Sequence, residues 1–339
     1  MTMTRMLVTG SAGFIGFHLA QRFLEEGHEV LGIDGLTPYY DVSLKKARHA
    51  RLKDQAGFTE RIFMLEDMAA LAEATESFRP EVIVHLAAQA GVRYSVDNPR
   101  AYIDANLVGA FNVLEVARAA KIRHLLLAST SSVYGANREM PFREQDRAAH
   151  PLSLYAATKR SGELMSHSYS HLWTMPTTVF RFFTVYGPWG RPDMALFKFV
   201  HGIRSGAAID VYNNGEMERD FTYIDDLVES VWRLTKVPPE LGQAISGDSM
   251  SPAAPWRVVN IGRGEPVKLM DFIAETERAL GLRAKLNLLP MQPGDVERTF
   301  ADPTLLETLT GYRPSTPVSQ GVAAFCRWYE DYYGAGAAN

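Results

Sequence analysis

Short apolar runs recur along the chain, each followed by a stretch of helical period. MLVTG at 6–10 reads as a buried strand. SAGFIGFHLAQRFLEEGHEV behind it repeats apolar positions at helical spacing, stops at Gly27 and enters a second strand, VLGID, at 30–34. The alternation continues with RIFML (61–65), a helix to Phe78, a strand EVIVHLAA (81–88), a helix across 99–120 and a strand HLLLAS (124–129). Strands without a polar face, alternating with helices, predict an α/β fold with a parallel sheet covered on both sides. After MPTTVFRFFTVYG (175–187) the alternation weakens and prolines and loops increase. The chain therefore divides into a first domain, 1–187, and a smaller lobe, 188–339, with 258–280 (VVNIG and the helix KLMDFIAETERALG) expected as elements that return to the first domain. PPELGQAISGDSMSPAAPW (238–256) is rich in Pro, Gly, Ser and Ala and reads as an exposed loop.

Composition narrows the function class. With 46% apolar and 22% charged residues in 339, the chain can bury a core and stay dissolved. A net charge of −4 without a long basic run favours neither nucleic acid nor an anionic membrane, so a small-molecule partner is expected. The lone Cys326 makes no internal disulfide and is expected as a small buried side chain. No apolar segment of about 18 residues occurs and the N-terminus runs into a strand rather than a signal peptide. The expected setting is cytoplasmic.

Two groups of residues carry candidate chemistry. Gly10, Gly13 and Gly16 form G-x-x-G-x-x-G between the first strand and first helix, with Phe14 and Ile15 inside the motif. Glycines there let backbone amides approach a pyrophosphate, whose charge the helix N-terminus favours. Asp34 ends the second strand, where a carboxylate accepts from the adenosine ribose hydroxyls and repels a 2'-phosphate, so NAD is expected over NADP. Asp67, after the third strand, is either a helix cap or an adenine contact. Tyr155 and Lys159 in YAATK sit four apart, on one helix face. A lysine ammonium and a cationic nicotinamide would both lower the phenol from its usual value of about 10 and so ready it as a base for a sugar hydroxyl.

With the glycine motif, HLAA, the strand-end hydroxyls of LLLASTSSVYG and Y-x-x-x-K, the sequence resembles the extended short-chain dehydrogenase/reductase family, in particular its nucleotide-sugar epimerases, dehydratases and decarboxylases. The resemblance covers nearly the whole chain. It implies a Rossmann-type doubly wound parallel sheet with a smaller C-terminal substrate-binding lobe. It also implies NAD contacts from Ala87 and Ala88, a catalytic Thr130 beside Tyr155 and Lys159, an Asn106 that holds the site, and a Lys159 that also touches the nicotinamide ribose. Dehydratases of the family carry Asp-Glu after the Thr, and decarboxylating members a Glu before Val-Tyr-Gly; this chain has Ser131 and Ser132. Elimination needs an acid and a base that two serines supply poorly, which leaves reversible hydride transfer at carbon 4 and inversion of one stereocentre.

RFFTVYGPWGRPDMA (181–195) looks like the members that interconvert UDP-glucuronate and UDP-galacturonate; galactose-type members place Asn where Thr184 stands. A hexuronate carboxylate would be bound by Thr184, Arg191, Ser131 and Ser132 through hydroxyl and guanidinium donors. By resemblance Arg219 and Arg298 contact the diphosphate and Arg93 points towards the sugar, while Gln292 stands where galactose-type members have Arg. Other readings remain: a UDP-galactose-type epimerase, a UDP-glucuronate decarboxylase, or a non-catalytic NAD-binding sensor. The resemblance further implies a homodimer through the helices at about 100–118 and 155–170, whose apolar faces are suited to it.

Overall fold

The computed structural model describes residues 3–292 and 295–334. Its first lobe is a run of alternating strands and helices. These are β1 (Arg5–Thr9), α1 (Phe14–Glu25), β2 (Glu29–Asp34), α2 (Val42–Lys53), β3 (Phe58–Ile62), α3 (Met68–Phe78) and β4 (Val82–His85). Two short helices, α4 (Tyr94–Asp97) and α5 (Pro99–Ile103), lead through a π-helical turn (Asp104–Gly109) into α6 (Ala110–Ala120). Then come β5 (His124–Thr130), a 3-10 turn (Ser131–Tyr134), α7 (Leu154–Trp173) and β6 (Thr177–Phe182).

The second lobe holds β7 (Thr184–Tyr186), α8 (Ala195–Ser205), β8 (Ala208–Tyr212), β9 (Glu218–Tyr223) and α9 (Ile224–Leu234). After β10 (Trp256–Ile261) follow β11 (Pro266–Lys268), α10 (Leu269–Leu280), β12 (Lys285–Leu289), β13 (Arg298–Thr299), α11 (Thr304–Thr310) and α12 (Val318–Tyr329).

Seven parallel strands stand in the order β10-β6-β5-β4-β1-β2-β3. Alternation along each strand explains why both faces are covered. Met6 and Val8 enter one apolar cluster with Phe17 and Phe23 of α1, whereas Leu7 enters the other with Leu71 of α3 and Val113 of α6. Strand order reverses at β1, which lies between β2 and β4, and the crevice at such a reversal is where open α/β sheets bind ligands.

Several boundaries differ from the sequence reading. The third strand is 58–62 rather than 61–65: FTERI alternates at an edge and is mostly exposed, so its pattern is less apolar than the RIFML that overlaps it. The helix expected over 99–120 is broken by the π-helical turn. MPTTVFRFFTVYG is two strands, because β7 leaves the main sheet at Thr184 and pairs with β9. Within 258–280, the strand joins the main sheet beside β6, but α10 packs on α8 and α12 of the second lobe. The 238–256 loop is exposed at its tip, yet its end is strapped down. Asp248 and Arg257 form a buried pair at 3.1 Å, and Ser251 Oγ meets His167 Nε2 of α7 at 2.8 Å.

Candidate active site

The glycine turn sits at the reversal, pressed against the end of β4. Gly10 has φ +75°, and a Cβ there would stand 2.8 Å from the Ala87 nitrogen. A Cβ on Gly16 would stand 2.1 Å from the Gly10 carbonyl oxygen, so only glycine lets α1 begin this close to the turn. Gly13 is the N-cap of α1 and supplies no side-chain cap, which leaves the first-turn amides free to face an anion. This cradle fits a pyrophosphate. Phe14 is buried and lines a cavity with Thr184 and Arg191, and Ile15 packs on the core. The Asp34 carboxylate accepts from the Ala12 amide at 3.0 Å and from the Leu36 amide at 2.8 Å, which fixes it at the end of β2. Asp67 caps α3 by accepting from the Ala70 amide at 3.0 Å. Ala87 donates to Thr9 Oγ1, and Ala88 follows it in the loop after β4.

Across the crevice, Ser153 caps α7 and starts the helix two residues before Tyr155, so Tyr155 and Lys159 project one turn apart. Burial raises the Tyr155 phenol above its usual range, while the Thr130 hydroxyl and the Arg191 guanidinium pull it down. Arg191 is thus a cation that acts on Tyr155 in addition to the Lys159 expected from the sequence. Lys159 is itself buried and drawn down to about 8, opposed by the Glu163 carboxylate. Asn106, in the π-helical turn, accepts from the Gln89 amide at 2.8 Å and donates to the Gln89 carbonyl and Thr158 Oγ1, both at 3.0 Å. It thereby joins the loop after β4 to α7. His85 meets Thr9 Oγ1 at 2.8 Å inside the sheet, and burial holds it neutral with a pKa of about 3.

Thr130 ends β5, and its hydroxyl organises the turn after it by accepting from the Ser132 amide and donating to Ser132 Oγ. Ser131 and Ser132 remain part-exposed. Arg191 is clamped by Asp193 at 3.0 and 2.5 Å, and Tyr39 Oη donates to the same carboxylate at 3.1 Å. Asp193 and Tyr39 went unread in the sequence, although an Arg-x-Asp spacing was there to suggest the clamp.

The remaining arginines are held by the second lobe. Arg93 pairs with Asp295 at 3.0 Å and lies over the Tyr212 ring at 4.4 Å. Arg219 donates to the carbonyls of Glu218, Val296 and Glu297, and burial lowers its pKa. Arg298 pairs with Glu218 at 2.7 Å. Arg93 and Arg219 therefore converge on the 295–297 segment, whereas Arg298 is turned to the strand beside it. In the expected diphosphate segment QPGDVERTFAD, Pro293 and Gly294 lie outside the described residues.

A glycine cradle at the strand-order reversal, faced by a tyrosine, a lysine and a row of hydroxyls, defines a dinucleotide-dependent enzyme. The chain belongs to the NAD dependent epimerase/dehydratase family, whose model matches residues 6–245. It is 61% identical over 333 residues to a Rhizobium meliloti protein described as "Probable UDP-glucuronate 4-epimerase", covering 97% of this chain and 98% of that one. A crystal structure of UDP-glucuronic acid 4-epimerase from Bacillus cereus, in complex with UDP-glucuronic acid and NAD, superposes with TM-score 0.87. That match has 31% identity and covers 97% of this chain and all of the other. A Thermotoga maritima UDP-glucose 4-epimerase with UDP-glucose superposes with TM-score 0.84 at 26% identity, covering 97% and 99% of the two chains.

Proposed function

We propose that the protein is an NAD-dependent isomerase that interconverts UDP-glucuronate and UDP-galacturonate by epimerisation at carbon 4. The observation that carries the reading is the pairing of a carboxylate-free hydroxyl row, Thr130 to Ser132, with the clamped Arg191 and nearby Thr184 across from Tyr155. The likeness over the full chain to proteins bearing that activity supports it.

Gly10, Gly13, Gly16 and Asp34 would hold NAD, which would supply a reversible hydride acceptor next to carbon 4. Tyr155 takes the proton of the 4-hydroxyl, Thr130 donates a hydrogen bond to the reacting oxygen, and Lys159 keeps positive charge beside the phenol. Burial raises the phenol, and a cationic nicotinamide bound beside it would add to the downward pull of Thr130 and Arg191. For inversion the 4-keto sugar presents its other face, carbon 4 takes the hydride back there, and Tyr155 returns the proton to the oxygen.

The 4-keto uronate is a β-keto acid that loses carbon dioxide readily. Thr184, Arg191, Ser131 and Ser132 hold the carboxylate by hydrogen bonds and charge, in an orientation that resists C–C cleavage. Arg219 and Arg298 are assigned to the diphosphate and Arg93 to the sugar side. The same site accepts a galactose-type sugar less well, because its 6-hydroxyl offers Arg191 no charge.

We further propose a homodimer through α6 and α7, which touch each other and leave Phe111, Leu164, Leu172 and Trp173 exposed. The lone free thiol, Cys326, suits a cytoplasmic setting, and no described helix is long and apolar enough to cross a membrane. The test of the mechanism is Tyr155→Phe, which should retain bound NAD and lose turnover by on the order of 10³-fold. Turnover near the native rate would remove Tyr155 from the reaction.

A further inference from the structure

A buried ion network lies beneath the strand-end hydroxyls, and the chemistry above leaves it unused. Glu163 is fully buried on α7, one turn beyond Lys159. Its Oε1 accepts from Ser129 Oγ at 2.5 Å and from Arg181 Nε at 3.0 Å. Its Oε2 accepts from Arg181 Nη2 at 2.8 Å and from Arg160 Nη1 at 2.5 Å. Arg181 is 2% exposed, with its guanidinium 4.7 Å from the Tyr134 ring centroid. Each member adjoins a residue of the proposed site: Ser129 precedes Thr130, Arg181 stands three before Thr184, and Glu163 four after Lys159. One carboxylate therefore ties the helix that carries the base to β5, which ends in Thr130, and to β6, which leads into Thr184.

Its charge matters as much as its bonds. Two guanidiniums meet a single carboxylate, so the network without Glu163 would set uncompensated cations beside a buried ammonium. The groups facing Lys159 are few. Tyr155, Arg160 and Glu163 share its helix, His85 faces it from β4 as a neutral ring, and Asn106 and Thr158 are the other polar side chains lining the small cavity around it. Among these, Glu163 is the anion that keeps Lys159 charged against burial.

We propose that Glu163 is a positioning residue for the epimerisation, holding the Lys159 ammonium charged and docking its helix on the ends of β5 and β6. This rests on the assignment of Tyr155 and Lys159 to the reaction. The test is the pH profile of kcat/KM for UDP-glucuronate on the NAD-loaded protein, whose alkaline limb reports loss of the Lys159 proton.

Glu163→Gln removes the anion and should move that limb down by about 1 pH unit. It also strands Arg181 and is expected to lower Tm, so Arg160→Gln carries the test independently. Arg160 approaches Glu163 from the surface with its side chain 28% exposed, and its loss leaves the Glu163–Arg181 pair intact. Taking away that cation should move the alkaline limb up, by about 0.5 unit, opposite in sign to Glu163→Gln. A purely structural network would change Tm or kcat and leave the limb where it is. An unmoved limb, or a downward shift, in Arg160→Gln overturns the proposal. Tyr155→Phe and Lys159→Met separate the two failures. If they turn over normally, the underlying assignment is wrong; if they are inactive while the limbs of both network variants coincide with the native one, only the role of Glu163 falls.

Discussion

Arg48, fully buried on α2, donates through Nη1 to the Ala12 carbonyl at 2.8 Å, in the middle of the glycine turn. Its other nitrogen reaches the carbonyls of Trp189 at 2.6 Å and Gly190 at 3.2 Å, immediately before Arg191. One guanidinium thus fixes the glycine turn and the loop leading into Arg191 against each other. Removing it leaves several buried carbonyls without donors, and Arg48→Ala should cost about 3 kcal/mol of stability. The NAD content of the purified variant and its KM for UDP-glucuronate should deteriorate together. A variant that loses NAD but keeps its KM would show that the two sites are not coupled through this residue.

The close approach of α1 to its own turn gives a second outcome. Gly16→Ala places a methyl 2.1 Å from a backbone oxygen, with no flexible side chain to yield. The turn must open, and the variant should elute without NAD, measured as nucleotide released on denaturation. A native complement of NAD in Gly16→Ala would contradict the cradle geometry.

Stability should depend on pH in two opposed ways. His18, His85 and His124 are held neutral by burial at about 4, 3 and 3. Their folded values lie below the unfolded one, so their contribution is full above about pH 6.5 and lost as pH falls. Glu144 behaves in reverse. Burial raises it to about 7, so its contribution is full below its unfolded value of about 4.5 and gone once pH passes 7. Glu144→Gln keeps an acceptor for the Asn260 amide and should raise the unfolding free energy at pH 8 relative to the native protein, by on the order of 1–3 kcal/mol, with little gain at pH 5. Equal effects at both pH values would place Glu144 in its ordinary range.

The proposed grip of Thr184 and Arg191 on the sugar carboxylate predicts a change in product as well as in rate. Thr184→Val and Arg191→Gln should raise the share of decarboxylated UDP-pentose relative to UDP-galacturonate, because the β-keto acid is held less firmly. Product ratios by chromatography check this. A constant ratio with only a slower rate would mean that the grip binds substrate without guarding its carboxylate.

Much of this arrangement is legible in the sequence because it is local. Gly10, Gly13 and Gly16 announce the cradle by spacing, and Tyr155 and Lys159 share a face by helical period. What the sequence conceals is long-range. Arg48 sits in a basic stretch, KKARHARLK, that reads as a solvated helix face, and only the fold buries it against a loop 141 residues away. Glu163 and Arg181 likewise look like surface charges until β6 is set beside α7. The displaced third strand follows from its place at the sheet edge, where an exposed pattern is compatible with full pairing to β2. Thr184 lies inside the apolar stretch MPTTVFRFFTVYG, where nothing local shows that β7 turns to pair with β9.

The central claim is tested most directly by incubating the purified protein with UDP-glucuronate, without added NAD, and following the sugar resonances by proton NMR. The account predicts the appearance of UDP-galacturonate from cofactor carried through purification. A UDP-pentose as the main product, or no change with UDP-glucuronate while UDP-galactose is converted, would contradict it.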